Sequence, residues 1–330
     1  LKILILRLSS MGDILLATPV PEVLKKIYPG SEIHWVVYKN FEDSIRNNPN
    51  IDKILAIEKA DDLTGISKFI RLSEYDLIFD LHKNSKTYFL TRNLKNVFRY
   101  NKRLVERFLL VFFKRKYNII PATKMYFAAL NKAGIKTPDK WELSFYPDQD
   151  CEAAAVCKFE LKKEPYAVFV PGASYFTKIW PKEYFIELAE MLFLEKFKKI
   201  IVVGKGEYEE MIGRFICGEG NERCINLTGK LNLDETASVL KYADIVITND
   251  NGPMHLAECF KKKIIAIFGC TTEELGFFPY STDFKAVEVN DLKCRPCTHF
   301  GKRKCPKGHF KCMRNISPES VYKTITDLLK

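Results

Sequence analysis

Apolar residues in this chain fall in short runs separated by longer amphipathic stretches. Lys2-Ile-Leu-Ile-Leu-Arg7 reads as a first strand, and a helix is predicted from Gly12 to about residue 28. Pro19 and Pro21 lie inside that helix and predict a kink or a late start, because proline lacks an N–H and clashes with the preceding turn. Further strands are predicted over residues 32–37, 53–57, 76–80 and 96–100, with a helix over 62–73. Residues 101–150 are less regular, with helices near 103–115 and 123–133, and residues 147–150 look like the approach to a linker. A second series follows, with strands over 166–170 and 199–203 and helices over 181–195, 207–216 and 233–242. Ile245, Val246 and Ile247 then read as a buried strand ending in the polar turn Thr248-Asn-Asp-Asn-Gly252. Pro253 suits a first helical turn, where its missing N–H costs nothing. Another apolar strand runs from Lys263 to Gly269, and Ser317-Pro-Glu-Ser starts a capped last helix that ends near Leu329.

This alternation predicts a doubly wound parallel sheet, built twice. The expected fold is α/β, with two Rossmann-like domains over residues 1–155 and 156–330 facing a cleft and ligands at the C-terminal ends of the strands. A length of 330 residues with 47% hydrophobic composition supports two cores of ordinary size. There is no apolar run of about 18 residues, so no transmembrane helix is expected. The apolar start is too short for a secretory leader, which points to a cytosolic protein.

Charge changes the picture because it is uneven. The net charge is +11, yet residues 81–138 carry fourteen Lys and Arg against one acid, Glu106, and residues 293–314 carry eight bases and no acid. The remainder is therefore acidic, and two basic patches on an acidic protein imply anionic partners at particular places. Ten cysteines suggest neither a secreted scaffold nor a set of bridges; six are scattered, several in apolar settings where Cys acts as a small hydrophobe.

Four turns carry candidate chemistry. Arg7-Leu-Ser-Ser-Met-Gly-Asp13 joins the first strand to the first helix, and Asp13 at that helix start is placed to take a proton from a bound hydroxyl. The competing reading is a carboxylate favoured there by the helix dipole. Val170-Pro-Gly-Ala-Ser174, followed by Lys178, offers small residues, a hydroxyl and a cation that suit a diphosphate. Gly204-Lys-Gly-Glu207 invites a dinucleotide reading, but Glu209 occupies the position of the third Gly, and Glu207 is instead a candidate for a ribose hydroxyl. In the Thr248–Gly252 turn the helix start presents backbone N–H groups and partial positive charge to an anion, with His255 beside them.

Together these pieces resemble glycosyltransferase family 9, the bacterial lipopolysaccharide heptosyltransferases, over nearly the full length. The resemblance rests on Ser9-Ser-Met-Gly-Asp13, on Pro171-Gly-Ala with Lys178 and Trp180-Pro181, on the Gly204…Glu207 turn, and most specifically on Asn249-Asp-Asn-Gly-Pro-Met-His-Leu256. Asn251 departs from the family's usual Thr or Ser, though an amide still hydrogen-bonds phosphate. The Pro-Gly-Ala form leans towards the second heptosyltransferase type of the inner core. The resemblance implies a GT-B fold and inverting, metal-independent transfer from an ADP-heptose donor to a lipid A–core acceptor. It makes Asp13 the general base, sets Ser174, Lys178, Asn251, Gly252 and His255 on or near the diphosphate, puts Asp250 in the donor loop, and turns Glu207 to the ribose.

Two competing classes are a nucleic-acid-binding protein, which leaves both doubly wound halves without a role, and a nicotinamide oxidoreductase, weakened by the broken glycine pattern. No nucleic-acid partner is therefore expected. No cofactor is expected in catalysis, while Cys294, Cys297, Cys305 and Cys312, with His299 and His309 nearby, are compatible with a structural zinc site or with thiols that bind no metal. Finally, Phe108–Phe113 is a six-residue apolar run between basic clusters that include Lys114, Arg115 and Lys116. Aromatics framed by Lys and Arg suit an anionic membrane surface. The expectation is reversible, salt-sensitive contact of the acceptor domain with the cytoplasmic face of the inner membrane, where an anionic lipid acceptor resides; the alternative is a core helix with basic ends.

Overall fold

The computed structural model describes residues 1–59, 62–195, 197–218 and 220–330. The chain divides into two compact units. The first holds Leu1–Arg103 and Ile120–Tyr146, and the second holds Leu104–Ile119 and Pro147–Lys330. The expected boundary at residue 155 therefore moves to Pro147, and the segment Leu104–Ile119 leaves the first unit for the second.

The first unit contains strands β1 (Lys2–Leu6), β2 (Glu32–Tyr38), β3 (Lys53–Ile57), β4 (Leu77–Asp80) and β5 (Val97–Arg99). Its helices are α1 (Met11–Leu15), α2 (Pro19–Ile27), α3 (Asp62–Leu72) and α4 (Ser85–Leu90), and, after α5 (Leu104–Phe113) of the second unit, α6 (Ala122–Lys132). The strands form one parallel sheet in the order β3-β2-β1-β4-β5. β1 sits at its centre with Ile3, Leu4, Ile5 and Leu6 all fully buried, the continuous apolar run that a parallel strand covered on both faces requires. The long first helix expected from Gly12 is two helices, because Pro19 starts a new one. α4, with Asn84 accepting from the Thr87 N–H as its cap, was not foreseen.

The second unit continues with α7 (Gln149–Lys158), β6 (Tyr166–Val170), α8 (Lys182–Glu195), β7 (Lys199–Val202), α9 (Glu207–Cys217), β8 (Cys224–Asn226), α10 (Leu233–Tyr242), β9 (Ile245–Asn249), α11 (Gly252–Cys259), β10 (Lys263–Phe268), β11 (Phe284–Glu288), α12 (Lys311–Arg314) and α13 (Pro318–Leu329). Its six strands are parallel in the order β11-β10-β9-β6-β7-β8. The core of this unit sets Phe169, Trp180, Phe185, Ile247 and Ile267 against Met313, Val321 and Ile325, so the last helix closes the sheet face. The indole N–H of Trp180 donates to the Ile316 carbonyl at 2.9 Å, which pairs the one polar atom of that large ring inside the core. Residues 147–150 are a helix start and not a linker, since Asp148 accepts from the Cys151 N–H at 2.9 Å. Cys217 and Cys224 are joined as a disulfide, a bridge that the spacing of the cysteines did not suggest.

α5 docks in the second unit through its buried Arg107, which donates to the Leu275 carbonyl at 3.5 Å and lies over the Phe277 ring. Lys114 continues the attachment, donating to the carbonyls of Val111 and Pro296 at 2.6 Å each and of Cys294 at 3.3 Å. The other face of α5 is open, with Leu104, Val105, Phe112 and Phe113 each about two-thirds exposed.

Candidate functional site

Each unit gathers its candidate residues at the C-terminal ends of its central strands, where a doubly wound sheet binds ligands. In the first unit β1 pairs with β4 so that Leu6 stands opposite Asp80, and the chains beyond these two residues run side by side. Arg7 follows β1 and is buried. Its guanidinium donates through Nη1 to the Leu81 carbonyl at 2.6 Å and through Nη2 to Asp13 Oδ1 at 2.7 Å. Asp13 is the third residue of α1. Ser10 Oγ donates to its Oδ2 at 2.9 Å, and the Tyr126 hydroxyl donates to its Oδ1 at 3.2 Å. Arg7 also lies over the Tyr126 ring, 5.4 Å from its centre.

Burial alone would raise the Asp13 pKa, but the Arg7 charge, with the Ser10 and Tyr126 hydrogen bonds, outweighs it and holds the carboxyl below its ordinary range. Arg7 itself is held charged, its pKa raised because Asp13, together with Tyr126 and Tyr100, outweighs the cost of burial. About a quarter of the Asp13 side chain remains exposed, so an ionised oxygen is reachable from outside. An aspartate so placed is charged at any working pH.

In the second unit Asn249 ends β9 and ties two neighbouring loops to it. Its Nδ2 donates to the Pro171 carbonyl at 2.6 Å, and its Oδ1 accepts from the Trp180 N–H at 3.2 Å. Asp250 follows, buried, paired with Lys178 Nζ at 2.7 Å and accepting from Thr271 Oγ1 at 2.7 Å. Asn251 is the N-cap of α11. Its Oδ1 accepts from the Met254 N–H at 3.0 Å and from Thr248 Oγ1 at 3.1 Å, while its Nδ2 donates to the Gly172 carbonyl at 2.8 Å. Such a cap is worth about 1 kcal/mol to the helix. The Asn251 amide therefore organises the turn, with both of its polar atoms engaged within the protein.

The same caution applies to the helix start. Pro253 has no N–H and that of Met254 is engaged by Asn251, so Gly252, with the positive end of the helix dipole, is what the turn offers an anion. His255 is buried, and its Nδ1 lies 2.8 Å from Glu258 Oε2 within the same helix. The other oxygen of Glu258 accepts from the Ser281 N–H and hydroxyl at 2.8 and 2.9 Å. His255 is thus coupled through Nδ1 to an internal carboxylate.

Ser174 is exposed on the loop after β6. Glu207 is exposed at the first position of α9, whereas Glu209 turns inward. A Cβ built on Gly172 would lie 2.6 Å from Glu209 Oε1, and one on Gly206, whose φ is +130°, would lie 2.7 Å from Oε2. The Glu209 carboxylate therefore lies against both glycine turns. Glu209 was legible as the residue breaking the glycine pattern, but its direction was not.

The cysteine-rich tail does not assemble as zinc ligands. Cys294 Sγ lies 3.8 Å from His309 Nε2, and the Cys297 thiol is partnered with that of Cys270, which lowers the Cys297 pKa. Among the described residues no three His, Cys, Asp or Glu side chains form a group able to hold a metal, and structural zinc at Cys294, Cys297, Cys305 and Cys312 finds no support. Among the same residues no helix is long and apolar enough to cross a membrane.

Two parallel α/β units with functional turns at their central strand ends define the GT-B architecture of nucleotide-sugar transferases. Comparison with known proteins fixes the family. The model of glycosyltransferase family 9 (heptosyltransferase) matches residues 64–307, and the chain belongs to that family. It is 28% identical to lipopolysaccharide heptosyltransferase 1 of Campylobacter coli over 99% of both chains. Its fold is similar to that of a family 9 glycosyltransferase from Veillonella parvula, with a TM-score of 0.80, 23% identity and coverage of 99% and 97% of the two chains. It is also similar to that of the Escherichia coli ADP-heptose lipopolysaccharide heptosyltransferase II, with a TM-score of 0.77, 20% identity and coverage of 100% and 98%. The protein is a glycosyltransferase enzyme of the heptosyltransferase type.

Proposed function

We propose that the protein transfers heptose from ADP-heptose to a lipid A–core acceptor in lipopolysaccharide core biosynthesis, with inversion at the anomeric carbon. The single observation that carries the residue roles is the Asp13 carboxylate, held ionised by Arg7 and yet partly open to solvent. As the acceptor hydroxyl attacks the anomeric carbon it becomes acidic, and its proton passes to Asp13. The bond from that carbon to the β-phosphate oxygen breaks on the opposite side, and ADP leaves with the electron pair. One displacement inverts the configuration.

Lys178 faces the charge that develops on ADP. At rest its ammonium is paired with Asp250 at 2.7 Å, and a diphosphate offers it a stronger partner. With the start of α11 at Gly252 it supplies the charge stabilisation that a divalent metal provides in other transferases, so the reaction is metal-independent. Asp250, fixed by Thr271, holds Lys178 in place. Ser174, exposed on the same loop, reaches the phosphates, and Glu209 serves the ribose hydroxyls better than the exposed Glu207. Asn251 and His255 keep the turn in shape.

The open face of α5 supports reversible contact with the cytoplasmic face of the inner membrane. Phe112 and Phe113 stand out beside the exposed Arg115, and each base close to an anionic surface adds about 1 kcal/mol. α5 belongs to the second unit, so this contact is made from the donor side and not from the acceptor domain. Lys114, though exposed, is tied to backbone carbonyls and Lys116 lies 3.5 Å from Glu274, which leaves Arg115 as the principal charge of the three.

The decisive experiment incubates the protein with ADP-heptose and truncated lipid A–core acceptors, with and without chelator, and weighs the products. One added heptose, insensitive to chelator, is expected; release of ADP without a heptosylated product would sink the assignment. Vesicles with anionic lipid should retain the protein at low salt and lose the Phe112→Ser/Phe113→Ser variant.

A further inference from the structure

His82 stands two residues beyond β4, next to the Asp13 site. Asp80, fully buried at the end of β4, fixes the turn that carries it, since its Oδ1 accepts from the N–H groups of His82 at 3.1 Å and Lys83 at 2.6 Å. Lys83 takes a left-handed φ of +51° there, and the other oxygen of Asp80 accepts from Arg99 Nε at 3.2 Å. The Leu81 carbonyl just before His82 is gripped by the same Arg7 guanidinium that holds Asp13. One buried cation therefore sets both the base and the histidine.

His82 Nδ1 is buried and has no hydrogen-bond partner among the described groups. Its ring faces the Ser9 carbonyl on the loop that leads to Asp13. An N–H directed to that carbonyl leaves Nδ1 as a lone-pair acceptor. Burial, and then the charges of Arg7 and Lys102, push the ring pKa down to about 3, so the imidazole is neutral at any working pH. A buried acceptor without a donor costs stability unless a ligand supplies one.

We propose that His82 is an acceptor-sugar-binding residue, its Nδ1 taking a hydrogen bond from a hydroxyl of the acceptor and so orienting the neighbouring hydroxyl towards Asp13. The ligand class is a vicinal polyol, which can present one hydroxyl to His82 and another to Asp13. The inference rests on the proposed role of Asp13. A neutral imidazole suits this task because it accepts from a hydroxyl without competing for the proton that Asp13 must take.

The test compares wild type with His82→Phe, which keeps a ring and removes both nitrogens, and His82→Asn, which restores a polar atom near Nδ1. Binding of a truncated lipid A–core oligosaccharide and of ADP is measured by calorimetry, and initial rates give KM and kcat. His82→Phe is expected to weaken acceptor binding and raise the acceptor KM about tenfold, the effect of about 1.4 kcal/mol. ADP affinity should stay unchanged, and His82→Asn should recover most of the loss. Two results overturn the inference alone: wild-type acceptor KM in a folded His82→Phe protein, or equal loss in both variants. Wild-type protein that neither binds the oligosaccharide nor transfers to it overturns the functional reading and this inference with it.

Discussion

Two turns in this protein are built alike and used in opposite ways. In each, a buried central strand ends, a carboxylate lies at or near the start of the helix that follows, and a cation lies 2.7 Å from that carboxylate: Arg7 with Asp13 in the first unit, Lys178 with Asp250 in the second. In the first pair the cation is the fixed member. Arg7 is 6% exposed, bound to the Leu81 carbonyl and laid over Tyr126, while Asp13 is 24% exposed. In the second pair the carboxylate is the fixed member, since Asp250 is also held by Thr271 and is the less exposed of the two. The member with more buried partners is scaffold, and the member left open is reagent. In the proposed mechanism one offers a base to a hydroxyl, and the other offers a cation to a diphosphate.

The comparison breaks first at the base. Asp13→Asn removes the proton acceptor but keeps the shape and the contacts with Ser10 and Tyr126, and kcat should fall about 10²–10⁴-fold while ADP still binds. Near-normal turnover by the folded variant would falsify the role of Asp13. Lys178→Met is next, with kcat expected to drop about 10²-fold, the scale for loss of one preorganised charge-stabilising donor. ADP affinity should fall with it, because the diphosphate loses its cation. A Lys178→Met protein that binds ADP as tightly as wild type removes Lys178 from the donor site.

Arg7→Gln probes the scaffold side of the first pair. Burial raises the Asp13 pKa and Arg7 is the chief influence lowering it, so its removal must raise that pKa. The acid limb of the kcat/KM profile should then move to higher pH. For stability the sign is the same: Asp13 has a depressed pKa in the folded state, so its contribution is present above the unfolded value and is lost as pH falls through the folded one. Arg7→Gln should therefore flatten the acid side of the stability curve, and an acid limb that does not move refutes the pairing as the cause. The smallest effect is expected from Thr271→Val, which removes the hydroxyl that shares Asp250 Oδ2 with Lys178. ADP affinity should weaken a few-fold as Lys178 holds that oxygen alone and more tightly, and calorimetry reads it.

Much of this arrangement is legible in the chain because it is local. Apolar runs such as Lys2-Ile-Leu-Ile-Leu and Ile245-Val-Ile are long enough to demand burial, and the turns after them carry residues that strands and helices avoid. β6, α10 and α13 lie where the periodicity sets them, since their cores and caps are contiguous in sequence. The three-residue strand β8 and the half-exposed β11 lack that contrast, and the helix α7 was hidden because Pro147-Asp-Gln-Asp reads equally as a linker or as a capped start.

The sequence by itself determined the two parallel sheets, the loops that hold the chemistry, and the presence of a carboxylate or cation in each. Only the tertiary structure decided which groups are engaged. Asn251 is an anion ligand or a cap depending on whether Thr248, Met254 and the Gly172 carbonyl come within reach, and they do. His255 meets an internal acid through Nδ1 because Glu258, itself held by Ser281, lies within reach, and Glu209 packs on two glycines from different loops. α5 announces an apolar face with basic ends, but the unit that receives it is set by the carbonyls of Leu275, Cys294 and Pro296, some 170 residues away or more. Periodicity reports how a segment divides between inside and outside. A hydrogen bond needs its partner within about 3 Å, and for groups far apart in the chain only folding sets that distance.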